Sequence, residues 1–273
     1  MSQIRQRAVK SVITKTKTPA EVAAFAVNPY VGCPHKCLCC YACFMKRFTG
    51  HTEPQGEFID IKNAPPLKNP QKYAGSKIFV GTVTDGYNPF EAEYKRTKQF
   101  LEQFIGVEAE ITVATKSKLV LRDVDLLKRL HDVTVSVSIN RIDDAFRTDM
   151  DKASSIPERI ETLRVLHENG IRTIGFISPI FPGITVVEDI VEATNSLCNV
   201  YWLENFNLRG GYKKDILEYI QAKYPQLIRL YRQIYSRGDK SYWYELGRKL
   251  DTYAKSRNVN MANYFFHELV RQQ

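Results

Sequence analysis

Apolar and polar positions alternate in two ways between residues 25 and 207. Short runs rich in valine, isoleucine and phenylalanine have the composition of strands, and between them apolar residues recur with helical spacing. The runs predict strands at residues 25–31, 77–84, 110–115, 133–139, 172–178 and 201–206, and the helical spacing predicts helices at residues 91–105, 124–130, 156–168 and 186–197. Strands that alternate with helices form a parallel sheet wrapped by helices, so six such units predict an α/β fold, a partial (β/α)6 barrel.

The pattern differs in one long insertion and beyond residue 208. Residues 52–75 contain several prolines and glycines, which predict an ordered or semi-ordered excursion over the surface. After residue 208 the spacing is helical, is broken at Pro225, and predicts two final helices at residues 242–256 and 261–271. The chain therefore divides into a basic N-terminal segment (1–24), a barrel (25–207) and a helical C-terminal extension (208–273).

Charge is concentrated at the two ends of this 273-residue chain, whose net charge is +9. Residues 1–50 contain eight basic and one acidic residue, and residues 201–273 contain thirteen basic and seven acidic residues. If the ends fold side by side, they form a basic flank suited to phosphates or to an acidic partner; a solvated lysine surface is the alternative. The sequence shows neither a signal peptide nor a long apolar run, so we expect a cytoplasmic protein with no membrane association.

Cysteines are crowded into one short run. Five of the six lie between Cys33 and Cys43, and Cys33, Cys37 and Cys40 have the spacing Cys-x3-Cys-x2-Cys just after the first predicted strand. Three thiolates on one loop can hold three irons of a cubane iron–sulfur cluster and leave the fourth iron open to a small molecule. A zinc site with Cys43 as the fourth thiol is the alternative, and a disulfide framework is disfavoured because no secretory signal is present.

The cysteine spacing resembles the signature of the radical S-adenosylmethionine (SAM) superfamily. Segments at the later strand ends resemble its spore photoproduct lyase-like (DNA repair photolyase-like) branch, so that the resemblance covers residues 25–200 approximately. It implies a [4Fe–4S] cluster held by the three cysteines, SAM on the open iron, a 5′-deoxyadenosyl radical that abstracts hydrogen from a substrate, and a flavodoxin or ferredoxin as electron donor. The matching segments are residues 81–91, 115–117, 121–123, 136–140, 157–161 and 178–183.

Four of the implied cofactor contacts lie at strand ends. Thr84 and Asp85 stand where the family contacts the amino group of SAM, and both side chains can accept a hydrogen bond from an ammonium. Ser138 and Asn140 match positions that contact the ribose or the methionyl carboxylate. Each has a structural alternative, either a turn at Asp85-Gly86 or local hydrogen bonds at the end of the fourth strand.

Two cationic side chains complete the implied cofactor site. Lys116 follows the third strand, where it would neutralise the SAM carboxylate or hold a substrate phosphate, and its alternative is a solvated lysine. Arg159 would make a bidentate contact with a carboxylate. Its alternative is an ion pair on the helix surface with Glu161 or Asp151.

Two positions depart from the pattern of the branch. Spore photoproduct lyase has a cysteine that returns a hydrogen atom to the product radical where this chain has Thr82, and a hydroxyl cannot replace it because the O–H bond is much stronger than S–H. An aromatic residue that is usual in the cluster loop is replaced by Cys39. Cys39 and Cys43 are therefore candidate catalytic hydrogen donors; alternatively, Cys39 is a small buried apolar residue and Cys43 a structural thiol.

Three functions follow as alternatives. The resemblance and the basic ends favour a radical SAM enzyme acting on a nucleic-acid base in a lyase or repair-like reaction. The second is radical modification of a peptide or protein that docks on the helical extension. The third is a zinc-stabilised nucleic-acid-binding protein without catalysis.

Overall fold

The computed structural model describes residues 3–16, 23–208 and 210–265. Its strands are β1 (Gln3–Ala8), β2 (Ile13–Lys15), β3 (Phe25–Val27), β4 (Tyr30–Val31), β5 (Phe58–Asn63), β6 (Lys77–Val80), β7 (Glu110–Thr115), β8 (Asp132–Ser138), β9 (Arg172–Ile180), β10 (Val200–Asn205) and β11 (Met261–Asn263). Its α-helices are α1 (Lys46–Thr49), α2 (Glu91–Tyr94), α3 (Arg96–Glu102), α4 (Val124–Leu127), α5 (Asp144–Met150), α6 (Ile156–Glu168), α7 (Val187–Thr194), α8 (Lys213–Lys223), α9 (Ile228–Ser236) and α10 (Ser241–Arg257). Strands β3, β6, β7, β8, β9 and β10 lie side by side in chain order and are parallel, so the predicted partial α/β barrel is confirmed.

The outer face of the barrel sheet forms the main core. Successive residues of a strand point to opposite faces, and alternate side chains such as Val80, Val113 and Val135 are fully buried in one cluster with helix residues such as Leu163. Helix α6 packs against β8 and β9. This packing fixes the carboxyl ends of the parallel strands at one edge, where sites in such folds are found.

Several predicted elements are shorter than expected, for local reasons. The first barrel strand ends at Val27, and after Pro29, which lacks an N–H, the chain turns into β4 and pairs antiparallel with β5. Strand β6 ends at Val80 because Gly81 has a φ of +95°. The helix predicted at residues 91–105 is divided into α2 and α3 at Lys95, whose φ is +51°.

The N-terminal segment and the insertion form a second sheet. Strand β1 pairs parallel with β5, and β4 pairs with the other side of β5. Phe58, Ile59 and Ile61 of β5 are fully buried. The expectation that residues 52–75 pass over the surface is therefore wrong for β5, which lies at the centre of this three-stranded sheet.

The C-terminal extension is helical only in part. Helices α8, α9 and α10 agree with the predicted helical character, whereas Met261 begins a strand instead of the helix predicted at residues 261–271. Strand β11 pairs parallel with β10, and Tyr201 N and Leu203 O bond the chain beside it. The open edge of β10 thus overrides the local helical spacing. Residues 266–271 lie outside the described ranges.

No α-helix within the described ranges has both the length and the apolar composition that a bilayer crossing requires.

Candidate active site

The loop that contains the three spaced cysteines, residues 32–40 (the cluster loop), is fixed by main-chain hydrogen bonds. Tight turns within it join Lys36 N to Cys33 O (3.4 Å) and Cys40 N to Cys37 O (3.1 Å). Two more bonds fix the loop to the end of α5 and the residues that follow it: Leu38 N donates to Met150 O (2.8 Å), and Lys152 N donates to His35 O (2.6 Å). The backbone of the loop is therefore held from both sides.

Thr84 and Asp85 attach the cluster loop to the strand ends. The buried Thr84 hydroxyl donates to Gly32 O at 2.7 Å. Asp85 Oδ1 accepts hydrogen bonds from Tyr87 N and Thr115 Oγ1, both at 2.8 Å. Asp85 Oδ2 accepts one from Lys116 N at 2.8 Å and lies 3.2 Å from Nε2 of the buried His35.

The Asp85 carboxylate is saturated by these protein partners. Burial raises the pKa of Asp85, but the hydrogen bond and charge of His35, together with the backbone donors, outweigh this effect and lower it. An ionised carboxylate has about four acceptor positions. An ammonium from SAM would therefore have to displace one of the partners. The hydrogen bond from Tyr87 N to the Asp85 carboxylate is the local turn that was the alternative expectation for Asp85-Gly86.

The thiols of the cluster loop are half-buried, and all of them are free. Burial raises the pKa of Cys33 and Cys37 strongly, raises that of Cys39 to about 12, and also raises that of Cys40. The positive charge of Lys116 partly offsets the burial for Cys37 and Cys39. The Lys116 ammonium itself has no ion pair among the residues that the structure describes.

Gln55 contacts the third thiol, and the sequence gives no sign of it. Its Nε2 donates to Cys40 Sγ at 3.5 Å, while its Oε1 is buried without a hydrogen-bond partner among the described residues. The chain just after Gln55 also packs tightly on the cluster loop, because a Cβ at Gly32 would collide with the Phe58 carbonyl oxygen. Gln55 lies in the insertion, which has no motif.

The end of β8 carries unpaired polar atoms. Ser136 Oγ and Asn140 Oδ1 are buried, and within the described ranges neither has a hydrogen-bond partner. Ser138 lies between them and is also buried, and Thr185 Oγ1 donates to Asn140 O at 2.7 Å. Native proteins satisfy most buried polar groups, so unpaired ones at a strand end indicate a ligand site. The structure brings Ser138 and Asn140 to this edge, and their contact with SAM stays a prediction.

Arg159 forms the ion pair with Asp151 that the sequence offered as an alternative. Arg159 is 1% exposed, and its Nη2 lies 2.6 Å from Asp151 Oδ1. Its other donors bond Ser138 O (3.1 Å) and Ser154 O (2.8 Å). The pair is buried rather than on the helix surface, and Glu161 pairs with another arginine.

The comparisons with known proteins identify the family. A family model described as the radical SAM superfamily matches residues 27–197. The chain belongs to the radical SAM superfamily. An uncharacterised protein of Methanocaldococcus jannaschii is 35% identical over 218 residues, which are 80% of this chain and 82% of that protein.

Two solved structures share the radical SAM fold of this chain. A spore photoproduct lyase variant with bound SAM and dinucleoside spore photoproduct has a TM-score of 0.56 at 16% identity, over 82% of this chain and 66% of that chain. SuiB of Streptococcus suis bound to SAM has a TM-score of 0.57 at 15% identity, over 87% of this chain and 49% of that chain. The chain thus spans just under two thirds of the lyase and about half of SuiB, and the likeness is one of fold.

The residues present fit the cluster of the radical SAM family. The donor set is three soft thiols on one tightly turned loop, and their raised pKa values show that burial penalises their thiolates unless a cation is bound. Within the described residues, no group of three or more His, Cys, Asp or Glu side chains converges as a site for one metal ion. Cys33, Cys37 and Cys40 would hold the cluster.

The remaining sequence candidates lie around the same loop of this radical SAM chain. Cys39 and Cys43 are both half-buried and pack against the main core. Their role as hydrogen donors stays a prediction. Thr82 Oγ1 accepts a hydrogen bond from Asn28 Nδ2 at 2.7 Å, and the Tyr41 hydroxyl donates to Thr82 O. Tyr41 therefore reaches the end of β6, a contact that sequence reasoning missed.

Inside the barrel, aromatic rings lie below a carboxylate. The half-buried rings of Phe79 and Phe176 have their centroids 6.3 Å and 6.2 Å from that of Trp202. Nearer the carboxyl edge, Ser178 Oγ donates to Glu204 Oε2 at 2.5 Å. Sequence reasoning missed Glu204, although it lies in the last predicted barrel strand. The barrel can thus enclose a flat apolar group and offer a carboxylate at its mouth.

Proposed function

We propose that this radical SAM enzyme binds a [4Fe–4S] cluster at Cys33, Cys37 and Cys40, binds SAM beside it, and abstracts hydrogen from a nucleic-acid base. The observation that carries the proposal is the position of the three thiols on one loop, fixed at the carboxyl edge of the barrel by Thr84 and Asp85. The cluster and SAM, when bound there, would supply one-electron cleavage of the sulfonium bond and a 5′-deoxyadenosyl radical able to remove a hydrogen atom from the substrate.

The protein's own residues position the reactants and exclude water. Asp85 and Thr84 orient the cluster loop through hydrogen bonds. The Lys116 ammonium, whose charge acts on the thiol of Cys37, would neutralise the SAM carboxylate, and the unpaired atoms of Ser136 and Asn140 would bond the rest of SAM. The aromatic rings within the barrel limit the access of water to a radical.

The fold alone does not choose between a nucleic-acid and a peptide substrate. The lyase structure holds a dinucleoside photoproduct, and SuiB is also known bound to its precursor peptide SuiA, with a TM-score of 0.57 to this chain. The basic ends favour a nucleic acid, because phosphates attract clustered Lys and Arg. Thr82 cannot return a hydrogen atom as the thiol of the lyase does, so we expect a product other than that of thymine-dimer repair, or a donor from Cys39 or Cys43.

Anaerobic reconstitution tests the cluster and the SAM chemistry. We expect a brown protein with about four irons per chain that, with dithionite or a reduced flavodoxin or ferredoxin, cleaves SAM to 5′-deoxyadenosine and methionine. Cys40→Ala should abolish this cleavage, whereas Cys198→Ala, which removes a thiol outside the cluster loop, should retain it. A colourless protein with about one zinc per chain would contradict the proposal and favour a zinc-stabilised binding protein.

Deuterium transfer tests the substrate. Perdeuterated single-stranded and duplex oligonucleotides, and separately a perdeuterated peptide mixture, are incubated with the reduced enzyme and SAM, and 5′-deoxyadenosine is analysed by mass spectrometry. Deuterium from oligonucleotides alone supports a nucleic-acid substrate. Deuterium from peptides alone would overturn that half of the proposal in favour of peptide modification. The Cys39→Ala and Cys43→Ala variants, tested for product yield, show whether either thiol is the hydrogen donor.

A further inference from the structure

Three exposed aromatic side chains follow the cluster loop directly. Tyr41, Phe44 and Phe48 (the aromatic row) are 55%, 38% and 68% exposed. The rings of Tyr41 and Phe44 are stacked with centroids 6.4 Å apart, and Phe48 lies 6.4 Å beyond Phe44. Large apolar groups that lie together on a surface usually mark an interaction site. The aromatic row begins at the barrel mouth, because the Tyr41 hydroxyl bonds Thr82 O at the end of β6.

A cation accompanies the aromatic row. The Arg47 guanidinium lies 5.5 Å from the centroid of the Phe44 ring and 4.8 Å from that of Phe48. Arg47 has no ion pair with a carboxylate in the described part of the chain, so its charge remains available to an anion. Aromatic rings can stack on bases, and a guanidinium without a carboxylate partner can bind phosphates. The aromatic row with Arg47 therefore suits a nucleic-acid strand better than it suits an aliphatic partner.

The aromatic row adjoins a basic groove in the C-terminal extension. A short turn of 3-10 helix, Gly210–Tyr212, packs against the turn Tyr41–Met45 that carries the first two rings. A groove of about 700 Å³ begins at Gly210 and Gly211 and contains three cationic side chains. These are Lys213, Lys214 and Arg232, which lie around an apolar floor that includes Leu217 and Ile228.

The groove is cationic on balance. Glu218 also lines it and pairs with Lys214 at 3.7 Å, and Lys213 Nζ donates to Tyr235 O at 3.1 Å. Arg232 has no carboxylate partner within the described ranges. The groove therefore adds cations of the C-terminal extension to the Arg47 charge beside the cluster loop.

We propose that the aromatic row and this groove form one docking surface for single-stranded nucleic acid. The bases stack on Tyr41, Phe44 and Phe48, and phosphates bind Arg47 and the cations of the groove. The strand is thereby led to the barrel mouth with its bases unstacked, as a base must be to reach the interior. This inference rests on the proposed function, since it specifies how its nucleic-acid substrate binds.

Fluorescence anisotropy with the reconstituted enzyme tests the surface without relying on catalysis. The probe is a labelled oligothymidylate of about 12 nucleotides, within the usual site size of single-strand-binding proteins. Phe48→Leu keeps an apolar side chain but removes the ring, and we expect it to weaken binding about 5- to 150-fold, which is the usual contribution of one stacked base. Tyr244→Leu removes another exposed aromatic side chain, on α10, and should leave the affinity unchanged.

The salt dependence tests the cations. Replacing Lys214 and Arg232 together by alanine should reduce the slope of log affinity against log salt by about one or two, because each phosphate contact releases counterions. Phe48→Leu should leave that slope unchanged. Iron content and the thermal midpoint of each variant establish that it is folded and loaded.

The outcomes separate this inference from the proposed function. Affinity that is equal in the wild type, Phe48→Leu and the groove variant overturns the docking surface but leaves a nucleic-acid substrate possible elsewhere on the chain. Absence of binding by the wild type overturns both the docking surface and the nucleic-acid substrate, while SAM cleavage continues to report on the radical chemistry. If Phe48→Leu slows reduction by flavodoxin without changing oligonucleotide affinity, the surface belongs to the electron donor and the inference is wrong.

Discussion

Replacing Arg159 by methionine should destabilise the barrel and loosen the cluster loop together. Arg159 and Asp151 are both almost fully buried, and the guanidinium donates hydrogen bonds to Asp151 Oδ1, Ser138 O and Ser154 O. The segment around Asp151 also holds the cluster loop, through Met150 O and Lys152 N. A change at the ion pair is therefore transmitted to the loop through two main-chain bonds.

The expected cost follows from the burial of the pair. Removing one partner of a buried ion pair leaves an uncompensated charge and costs about 3–5 kcal/mol. For a chain of this size a loss of that order lowers the thermal midpoint by roughly 6–20 °C. The double variant Arg159→Met, Asp151→Leu leaves no unpaired charge, so it should be less destabilised than the sum of Arg159→Met and Asp151→Leu, with a coupling of about 1–3 kcal/mol.

Thermal unfolding by circular dichroism, on protein reconstituted under anaerobic conditions, measures the four members of this cycle. Iron content after gel filtration and SAM affinity are measured in parallel. We expect stability and iron content to fall together in the single variants and to recover in part in the double variant. If Arg159→Met unfolds like the wild type but loses SAM affinity, the guanidinium contacts the cofactor, as the family resemblance implied, and the structural role given to the pair is wrong.

Three further predictions concern the surroundings of the cluster and a distant thiol. Gly32→Ala should lower iron content after reconstitution, because a Cβ there meets a carbonyl of β5, whereas Gly50→Ala, with a similar positive φ and nothing within 4 Å, should not. Gln55→Leu should lower the cluster reduction potential in a spectroelectrochemical titration, because an N–H bond to Cys40 Sγ stabilises the more negative reduced state; an unchanged potential would contradict this. Burial raises the pKa of Cys198 to about 11, so at pH 8 only about one thousandth is thiolate, and its alkylation by iodoacetamide in the native protein should be far slower than after unfolding.

The barrel could be predicted from sequence because its signals are local. Each barrel strand is a short β-branched run next to a helical pattern, and the strand order follows the chain order. Strands β1 and β11 lack such signals. All six side chains of β1 are exposed, and most of them are polar or small. The apolar residues from β11 onward have helical spacing. Both form only because a neighbouring strand presents an open edge, which the sequence of the strand itself does not record.

The candidate site divides in the same way. The cysteine spacing is contained within eight residues and could be recognised directly. The partners of Asp85 could not, because His35 and Thr115 lie 50 and 30 residues away along the chain. Likewise, Gln55 contacts Cys40 only because the insertion folds back over the loop. Spacing therefore predicts the residues that bind a cluster, and only the fold shows which residues support them.

The basic N-terminal segment also supports the site through contacts that are distant in sequence. His51 is buried between Glu53 and Asp60, with each ring nitrogen 3.0 Å from a carboxylate oxygen, and its ring stacks on Phe58 of β5. Arginines of β1 pair with both carboxylates at 2.9 Å. Because β5 also packs against Gly32, residues that look like a solvated basic tail help to fix the strand on which the cluster loop rests. The charges of Arg5 and Arg7 are therefore neutralised within the fold. The charge available to a nucleic acid has to come from other residues, such as Arg47 and the cations of the groove in the C-terminal extension.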